Sequence, residues 1–183
     1  MVKRSLLEEA LGVAMTTGAD FAEIYVECTL TGGVYMINNK VEQIRDGVLS
    51  GIGIRVLKGL RSVYASTSSL DRESVLRCAK NVAEVLGDGK AEISINLTER
   101  TFGDIHPVRF VPSSAQKTTK IELLKRAYFS AKEYDPLISQ VQGTLMDVDH
   151  NIMIANSDGL LTADRQIRTR MAISSVASEN GEN

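Results

Sequence analysis

Apolar and polar residues alternate along several stretches of this chain, most clearly between positions 46 and 67. Strict alternation predicts a β-strand with one buried face, because successive side chains of a strand point to opposite sides. Two turn pairs that accept positive φ, Asp46-Gly47 and Lys58-Gly59, bound this pattern. The residues predicted to face the core are Ile52, Ile54 and Val56. We therefore predict a hairpin at the centre of an antiparallel sheet, with Arg55 on the more polar face.

Shorter alternating stretches predict further strands on both sides of this hairpin. Gly32-Gly33 is predicted to separate two of them, and Asn38-Asn39 to form a tight turn. Asn156-Ser157-Asp158-Gly159 predicts another turn, before a long strand that begins at Arg165. The remaining predicted strands cover residues 21–28, 34–37, 41–45, 93–97, 141–145, 152–155 and 165–177. Because most of the connections are short, neighbouring strands should be antiparallel.

Three segments repeat apolar residues with the helical period of 3.6. Ser5 is predicted to cap the first helix, which should end at Thr16-Thr17-Gly18. Asp71 or Ser69 is predicted to cap the second. A Thr119-x-x-Glu122 capping box predicts the start of the third. The predicted ends of the second and third helices are Gly87-Asp88-Gly89 and Asp135-Pro136, and residues 99–117 are predicted to form a long surface loop. The fold class predicted is α+β: an antiparallel meander sheet with about three helices packed on it.

Length, net charge and cysteine content limit the classes of protein to which the chain can belong. With 183 residues, of which 43% are hydrophobic, the chain is long enough for a single domain over residues 1–183. A net charge of −2 and dispersed charges argue against a nucleic-acid or membrane-surface protein. No secretory signal is visible, so Cys28 and Cys78 are predicted to be reduced core residues. The predicted location is cytoplasmic.

No active site is visible from the residues alone, and we predict no catalytic, cofactor-binding or metal-binding residue. Gly51-x-Gly53 lacks the third glycine of a dinucleotide-binding loop, and Ser50 lacks the spacing of a nucleophile elbow. The pattern Asp147-x-Asp149-x-Asn151, with Asp158 at its twelfth position, resembles a calcium loop. However, Ile152 replaces the glycine that such a loop needs for its sharp turn. A polar hairpin turn is therefore favoured over calcium binding.

The two histidines, His106 and His150, are far apart and belong to no zinc-binding pattern. Each is predicted to be a surface residue. Arg55 lies between strand residues, where its charge needs a partner. Glu23 and Glu27 on the neighbouring strand are the candidates, and a structural salt bridge is favoured over substrate binding.

Four short motifs resemble, in order and spacing, the amino-terminal domain of the TldD/PmbA family. They are Gly-Ala-Asp-Phe-Ala-Glu at 18–23, Gly-Ile-Gly-Ile-Arg-Val at 51–56, Tyr64-Ala65-Ser66 and Asn-Ser-Asp-Gly at 156–159. The resemblance implies a relationship to zinc-dependent peptidases, or to their catalytically silent partners, that act on small proteins and peptides. Members of this family are also called modulators of DNA gyrase.

The same resemblance implies that the catalytic residues of the family lie outside the part that this chain matches. Such enzymes hold zinc through a His-Glu-x-x-x-His helix and a later cysteine in their carboxy-terminal half, and no position of this chain matches these residues. The expectation is a non-catalytic amino-terminal portion that shapes a peptide chamber and contacts TldD/PmbA-like subunits in a homo- or hetero-oligomer. The alternative is a stand-alone peptide- or protein-binding module without enzymatic activity.

The last predicted strand adds an expectation about assembly. Few residues follow the strand at 165–177, so the chain looks like a cut through a larger protein and the outer edge of this strand should be open. Met171–Ala177 has no charge that would protect such an edge. We therefore expect association through this edge, unless the loop at 99–117 shields it.

Overall fold

A computed structural model defines the fold and describes residues 2–87, 91–103, 105 and 107–180. Across these residues three α-helices accompany one six-stranded, mostly antiparallel sheet, which confirms the predicted α+β class. The helices are α1 (Arg4–Met15), α2 (Arg72–Leu86) and α3 (Lys117–Lys132). The strands are β1 (Phe21–Ile37), β2 (Lys40–Lys58), β3 (Arg61–Thr67), β4 (Thr98–Glu99), β5 (Ile138–Asn156) and β6 (Leu160–Ala177). A short 3₁₀ helix spans Pro112–Ser114.

The strand order in the sheet is β3-β2-β1-β5-β6-β4. β2 and β3 form the predicted antiparallel hairpin, in which Ile54 lies opposite Ala65 and Lys58 lies opposite Arg61. The hairpin lies at one edge, so its predicted place at the centre of the sheet is wrong; β1 and β5 occupy the middle. β4 pairs in parallel with β6 at Leu160 and Leu161.

Two predicted breaks in the sheet are absent, because the glycines involved serve packing rather than turns. β1 runs through Gly32-Gly33, where a Cβ on Gly32 would lie 2.5 Å from Oδ2 of Asp147. β2 runs through Asp46-Gly47, where a Cβ on Gly47 would lie 2.9 Å from Oγ1 of Thr31. Glycine within a strand often marks such a close approach. The predicted turn at Asn38-Asn39 is confirmed, with φ values of 44° and 63°.

The helix boundaries follow the predictions only in part. Asp71 caps α2 by accepting a hydrogen bond from the Ser74 N–H at 2.8 Å, as predicted. α1 follows Lys3 without a side-chain cap, so Ser5 lies inside the helix instead of capping it. α3 starts at Lys117, two residues before the predicted capping box, and ends at Lys132. The predicted stop of α2 is confirmed at Gly87, whereas Asp88 and Gly89 lie outside the described residues.

The region between α2 and α3 differs from its prediction in two details. The expected strand at 93–97 is not formed; Ile93 and Ile95 instead pack, partly buried, on the core, and the short β4 follows. The predicted surface loop at 99–117 is otherwise confirmed where it is described, apart from the 3₁₀ helix. Within the described residues, no helix combines the length and the apolar character needed to cross a membrane.

The chain divides into two compact units. Unit 1 consists of Met1–Cys28, Leu49–Ile105 and Asn151–Arg165. Its core is formed by the apolar faces of α1 and α2 against the inward side chains of β1 and β2, together with Leu97, Ala155 and Leu161. The predicted inward residues of β2 are confirmed: Ile52, Ile54 and Val56 are buried.

Unit 2 consists of Thr29–Val48, His106–His150 and Gln166–Asn183. Its smaller core places Leu124 of α3 against the sheet, with Ile121 and Tyr128 beside it. The strand residues in this cluster are Val34, Met36, Val41, Leu145 and Ile173. α3 therefore covers one face of the sheet in unit 2, the face to which Ile173 of β6 points.

Candidate functional site

Unit 1 has a shallow cavity of about 310 Å³ on the polar face of the hairpin. It is lined by Glu23, Tyr25, Gly53, Arg55 and Tyr64. On β1 and β2 these residues lie at the positions between the inward-facing Ile24, Ile52, Ile54 and Val56, and Tyr64 of β3 lies opposite Arg55, so the strand period places all of them on one face. The cavity therefore lies on the sheet face that points away from the core of unit 1.

The cavity contains the predicted salt bridge. Nη2 of Arg55 lies 2.7 Å from Oε1 of Glu23, which confirms one of the two partners expected from the sequence. The Arg55 side chain is 47% exposed and that of Glu23 is 32% exposed. Glu27, the other candidate, instead acts together with burial to raise the pKa of Tyr25, burial being the larger cause. Because the pair is half-exposed, water screens its attraction.

Tyr64 completes this surface by packing over Gly53. A Cβ at position 53 would collide with the Tyr64 hydroxyl and would lie 2.8 Å from its Cε2. Gly53 leaves room for a close neighbour on this face, and that neighbour is an aromatic ring of the same hairpin. The ring itself remains 64% exposed. The face thus presents a fixed tyrosine beside an arginine–glutamate pair.

Unit 2 contains a larger cleft, of about 450 Å³. Its walls come from β1, β2 and β5, from the 3₁₀ helix and from the first turn of α3. The charged residues that line it are Asp46, Lys117, Lys120, Asp147 and Asp149. Two lysines and three aspartates in one cleft make it a strongly polar site with a small excess of negative charge.

The base of the cleft is a buried ion pair between Nζ of Lys120 and Oδ1 of Asp147. The exposed fractions of the two side chains are only 7% and 6%. Gly32 makes this possible, because the carboxylate of Asp147 occupies the space that a Cβ at Gly32 would take. Nearer the surface, Lys117 forms a second ion pair with Asp46. The cleft therefore contains a buried ion pair, whose desolvation costs free energy that the attraction between the two charges must offset.

Sequence reasoning missed Lys120 and the Lys117–Asp46 pair. A signal for Lys120 exists, because it lies one turn before Leu124 and two before Tyr128, on the apolar stripe of α3. A lysine on such a stripe needs a buried partner. Asp147 carries the matching signal, since it continues the buried alternation of Val141 and Leu145 on β5.

The calcium-like pattern has a different explanation. Asp147, Asp149 and Asn151 all lie within β5, so the favoured alternative of a polar hairpin turn is wrong for these residues. Asp147 pairs with Lys120, and Nδ2 of Asn151 donates to the Cys28 carbonyl at 3.4 Å. The turn predicted at Asn156–Gly159 is confirmed and follows this strand.

The remaining candidate metal ligands do not form a site in the described part of the chain. His150 is half-buried on β5, and His106 lies outside the described residues. Both cysteines are free thiols; Cys78 is buried, which raises its pKa, and Cys28 is half-buried. Among the described residues, no three His, Cys, Asp or Glu side chains come close enough together to hold a metal ion. These residues do not fit a catalytic zinc, which needs three protein ligands.

Two family models match the chain one after the other. The PmbA/TldA metallopeptidase domain 1 matches residues 22–86, and the PmbA/TldA metallopeptidase central domain matches residues 110–183. The chain belongs to the TldD/PmbA family. This confirms the resemblance drawn from the four sequence motifs.

Individual TldD/PmbA relatives extend this comparison. The chain is 23% identical over 168 residues to the metalloprotease TldD homologue of Haemophilus influenzae, covering 89% of this chain and 34% of the relative. It is 24% identical over 177 residues to the TldD homologue of Buchnera aphidicola, covering 94% of this chain and 36% of the relative. The chain thus spans about a third of the length of the curated relatives it matches.

A solved structure supports the fold independently. The crystal structure of a protein named as a modulator of DNA gyrase, from Bacteroides thetaiotaomicron, superposes with a TM-score of 0.74 at 15% identity. The superposition covers all of this chain and 44% of that protein. At this level of identity it shows that the TldD/PmbA chain shares the fold.

Proposed function

We propose that this chain is the amino-terminal, non-catalytic portion of a TldD/PmbA-type metallopeptidase system acting on small proteins or peptides. In this proposal it helps to shape the chamber that receives the substrate, and it contacts other TldD/PmbA-like subunits. The observation that carries the proposal is the consecutive match to domain 1 and to the central domain, over about a third of the length of proteins named metalloproteases.

The chemistry of the described residues supports a non-catalytic role. The carboxylates in the unit 2 cleft are not arranged as a metal site, and Asp147 already has a buried lysine as its partner. A paired, buried carboxylate is a poor general base, since removing its charge would leave the lysine without a partner. The zinc chemistry of the family would then be supplied by residues that have no counterpart among those described.

Both cavities have surfaces suited to peptide contact. The unit 1 cavity offers an exposed tyrosine beside a half-exposed arginine, which are the residue types that most often dominate protein recognition. The unit 2 cleft offers paired charges and the backbone of two sheet strands. Such surfaces could contribute to a chamber wall without taking part in bond cleavage. A cytoplasmic location belongs to the same proposal.

The test combines metal analysis with reconstitution. The purified chain, dialysed and assayed with casein and a fluorogenic peptide, should contain far less than one zinc per chain and should cleave neither substrate. Adding a zinc-loaded carboxy-terminal portion of a TldD relative should give a complex and chelator-sensitive cleavage that exceeds that of the added portion alone. The variant Arg55→Ala/Lys117→Ala, which alters one exposed side chain in each cavity and leaves the buried Lys120–Asp147 pair intact, is the comparison and should restore less activity.

One zinc per chain together with cleavage by the chain alone would contradict the proposal. The alternative function, a stand-alone binding module, is favoured by one observation: among the described residues, no strand pairs with the outer side of β6 over residues 166–177. If the chain binds peptides but neither associates with the added portion nor changes its activity, the alternative is correct.

A further inference from the structure

One outer edge of the sheet is open in unit 2. β6 has β5 on one side, and β4 covers its other side at Leu160 and Leu161. Within the part of the chain that the structure describes, no strand pairs with that side over residues 166–177. We call the backbone of residues 166–177 on this side the β6 edge. Most of its side chains are exposed, including those of Arg168, Arg170 and Met171, so the 99–117 loop does not shield it where it is described.

Hydrogen bonds at both ends of β6 show which backbone groups point outward. The Ser178 N–H donates to the Leu137 carbonyl, and the Val176 carbonyl accepts from the Ser139 hydroxyl, so these even-numbered residues face β5. The Leu161 carbonyl accepts from the Arg100 N–H and so faces outward. Because backbone direction alternates along a strand, the odd-numbered residues of the β6 edge present their N–H and C=O groups outward.

The side chains of odd-numbered and even-numbered β6 residues lie on opposite faces of the sheet. Ile173 packs on the α3 side of the sheet, so the odd-numbered residues point there. Arg168 and Arg170 point to the opposite face. Arg168 donates to Oε1 of Gln166 at 3.3 Å. Neither arginine has a carboxylate partner among the described residues, so the β6 edge is flanked by two uncompensated positive charges.

We propose that the β6 edge binds an extended acidic peptide as an added antiparallel strand. The outward N–H and C=O groups of Thr169, Met171 and Ile173 would pair with the peptide backbone. Peptide residues opposite Arg168 and Arg170 would occupy non-hydrogen-bonded positions, where facing side chains come closest. Acidic residues at two alternate positions of the peptide would therefore meet the two arginines directly. The residue between them would lie opposite Thr169 and the residue before them opposite Met171, and both would best be apolar.

Charge favours such a peptide over a second copy of this chain. Two β6 strands paired antiparallel around Thr169 would place Arg168 of each copy opposite Arg170 of the other. Like charges at close cross-strand positions are destabilising. An acidic strand replaces this repulsion by attraction.

This inference rests on the proposed peptide-handling role and names the chemistry of one peptide class. Its test measures binding to the chain alone, whereas the test of the proposed function measures metal content and reconstituted cleavage. If the acidic peptide fails to bind while reconstitution succeeds, this inference falls and the proposed function stands.

The probe is the capped peptide Ac-Thr-Val-Thr-Val-Glu-Val-Glu-Val-NH₂ with a fluorescent label, followed by anisotropy. Its sequence places the glutamates opposite Arg170 and Arg168 when it pairs antiparallel. A peptide with lysine at both glutamate positions is the charge control and should bind roughly fivefold or more weakly. Raising the salt concentration should reduce this difference.

Two N-methylated peptides test the backbone pairing. N-methylation of the valine opposite Met171 removes an N–H that faces the β6 edge and should weaken binding roughly fivefold or more. N-methylation of the glutamate opposite Arg170 alters an N–H that points away, and binding should persist. This pair of probes needs no change in the protein, so it is independent of any folding defect.

Protein variants complete the design. The double variant Arg168→Glu/Arg170→Glu should reverse the preference, binding the lysine peptide better than the glutamate peptide. The matched control is Lys125→Glu/Arg126→Glu on the exposed side of α3, which makes the same change in net charge and should preserve the preference.

Several results would overturn the inference. They are the absence of binding at the highest peptide concentration, equal binding of the glutamate and lysine peptides, and equal effects of the two N-methylations. Sedimentation velocity tests whether the chain associates with itself. A dimer that Arg168→Glu/Arg170→Glu strengthens and that the acidic peptide leaves intact would assign the β6 edge to a second copy.

Discussion

The hydroxyl of Tyr64 lies over Gly53, in the space that the Cβ of any larger residue would occupy. The two residues belong to neighbouring strands of one hairpin, with Gly53 opposite Ser66 and Tyr64 opposite Arg55. The contact therefore joins diagonal positions on the outward face of the hairpin. It fixes the ring that forms one wall of the unit 1 cavity.

Gly53→Ala should destabilise the protein, because the added methyl group displaces the Tyr64 ring. The expected loss is at most about 1 kcal/mol of unfolding free energy, because the Tyr64 ring is 64% exposed and can turn aside by giving up its contact with Gly53. Urea unfolding followed by circular dichroism measures it. Gly103→Ala is the control, since a Cβ there meets nothing within 4 Å, and it should be neutral. Equal stability of Gly53→Ala and wild type would show that Tyr64 moves away freely.

Lys120→Met should be among the most damaging single substitutions in unit 2. It leaves the buried carboxylate of Asp147 without a partner, which typically costs about 3–5 kcal/mol. Thermal and urea unfolding measure the loss. Lys125→Met, at an exposed position of the same helix, is the control and should cost much less. The double variant Lys120→Met/Asp147→Asn should lose less than the sum of the two single losses. Strict additivity would mean that the two side chains do not interact.

Arg55→Ala should cost little, about 0–1 kcal/mol, because its pair with Glu23 is half-exposed. A buried pair would make the cost several times larger. Urea midpoints decide between the two magnitudes. Arg72→Ala, which breaks an exposed pair with Glu9, provides the reference value. A loss near 3 kcal/mol for Arg55→Ala would contradict the exposed geometry.

The cap of α2 should make stability depend on acidic pH. Hydrogen bonds from the Ser69 hydroxyl and the Ser74 N–H hold the pKa of Asp71 well below its ordinary value. The folded state therefore favours the charged carboxylate. Its contribution is complete above the unfolded pKa of about 3.9 and is lost as the pH falls through the lower folded value.

Asp71→Ala should accordingly be less stable than wild type at pH 7, and the gap should shrink as the pH falls below about 4. Thermal unfolding of both proteins between pH 2 and pH 7 is the measurement. Asp158→Ala, an exposed aspartate in a turn, is the comparison. A gap independent of pH would show that the charge of Asp71 makes no contribution to the cap.

The sequence predicted the class of fold well because its signals are local. Alternation along β2 and the 3.6-residue period of α2 each follow from one element, and both are confirmed. The errors arose where a residue serves a distant partner. Gly32 and Gly47 have the composition of turns, but they are needed beside Asp147 and Thr31, and no local pattern reveals this.

In the candidate sites, too, contacts between neighbouring strands could be predicted and contacts between distant elements could not. The Arg55–Glu23 pair was predictable because neighbouring strands bring the two together. The Lys120–Asp147 pair joins α3 to β5 across 27 positions of sequence and was missed. The division into two units was also not visible, since β1, β2, β5 and β6 each contribute residues to both without a break in the strand pattern.

The alternating direction of the β6 backbone has a consequence for deuterium uptake. Because β5 and β6 are hydrogen-bonded neighbours, the amides of the even-numbered residues, which face β5, pair with that strand, whereas those of Thr169, Met171 and Ile173 face outward. Exchange in deuterated water should therefore alternate between slow and fast from one residue to the next. A series of NMR spectra recorded during exchange would show this alternation in the unmodified protein. A strand that binds to the β6 edge would slow the exchange of the odd-numbered amides.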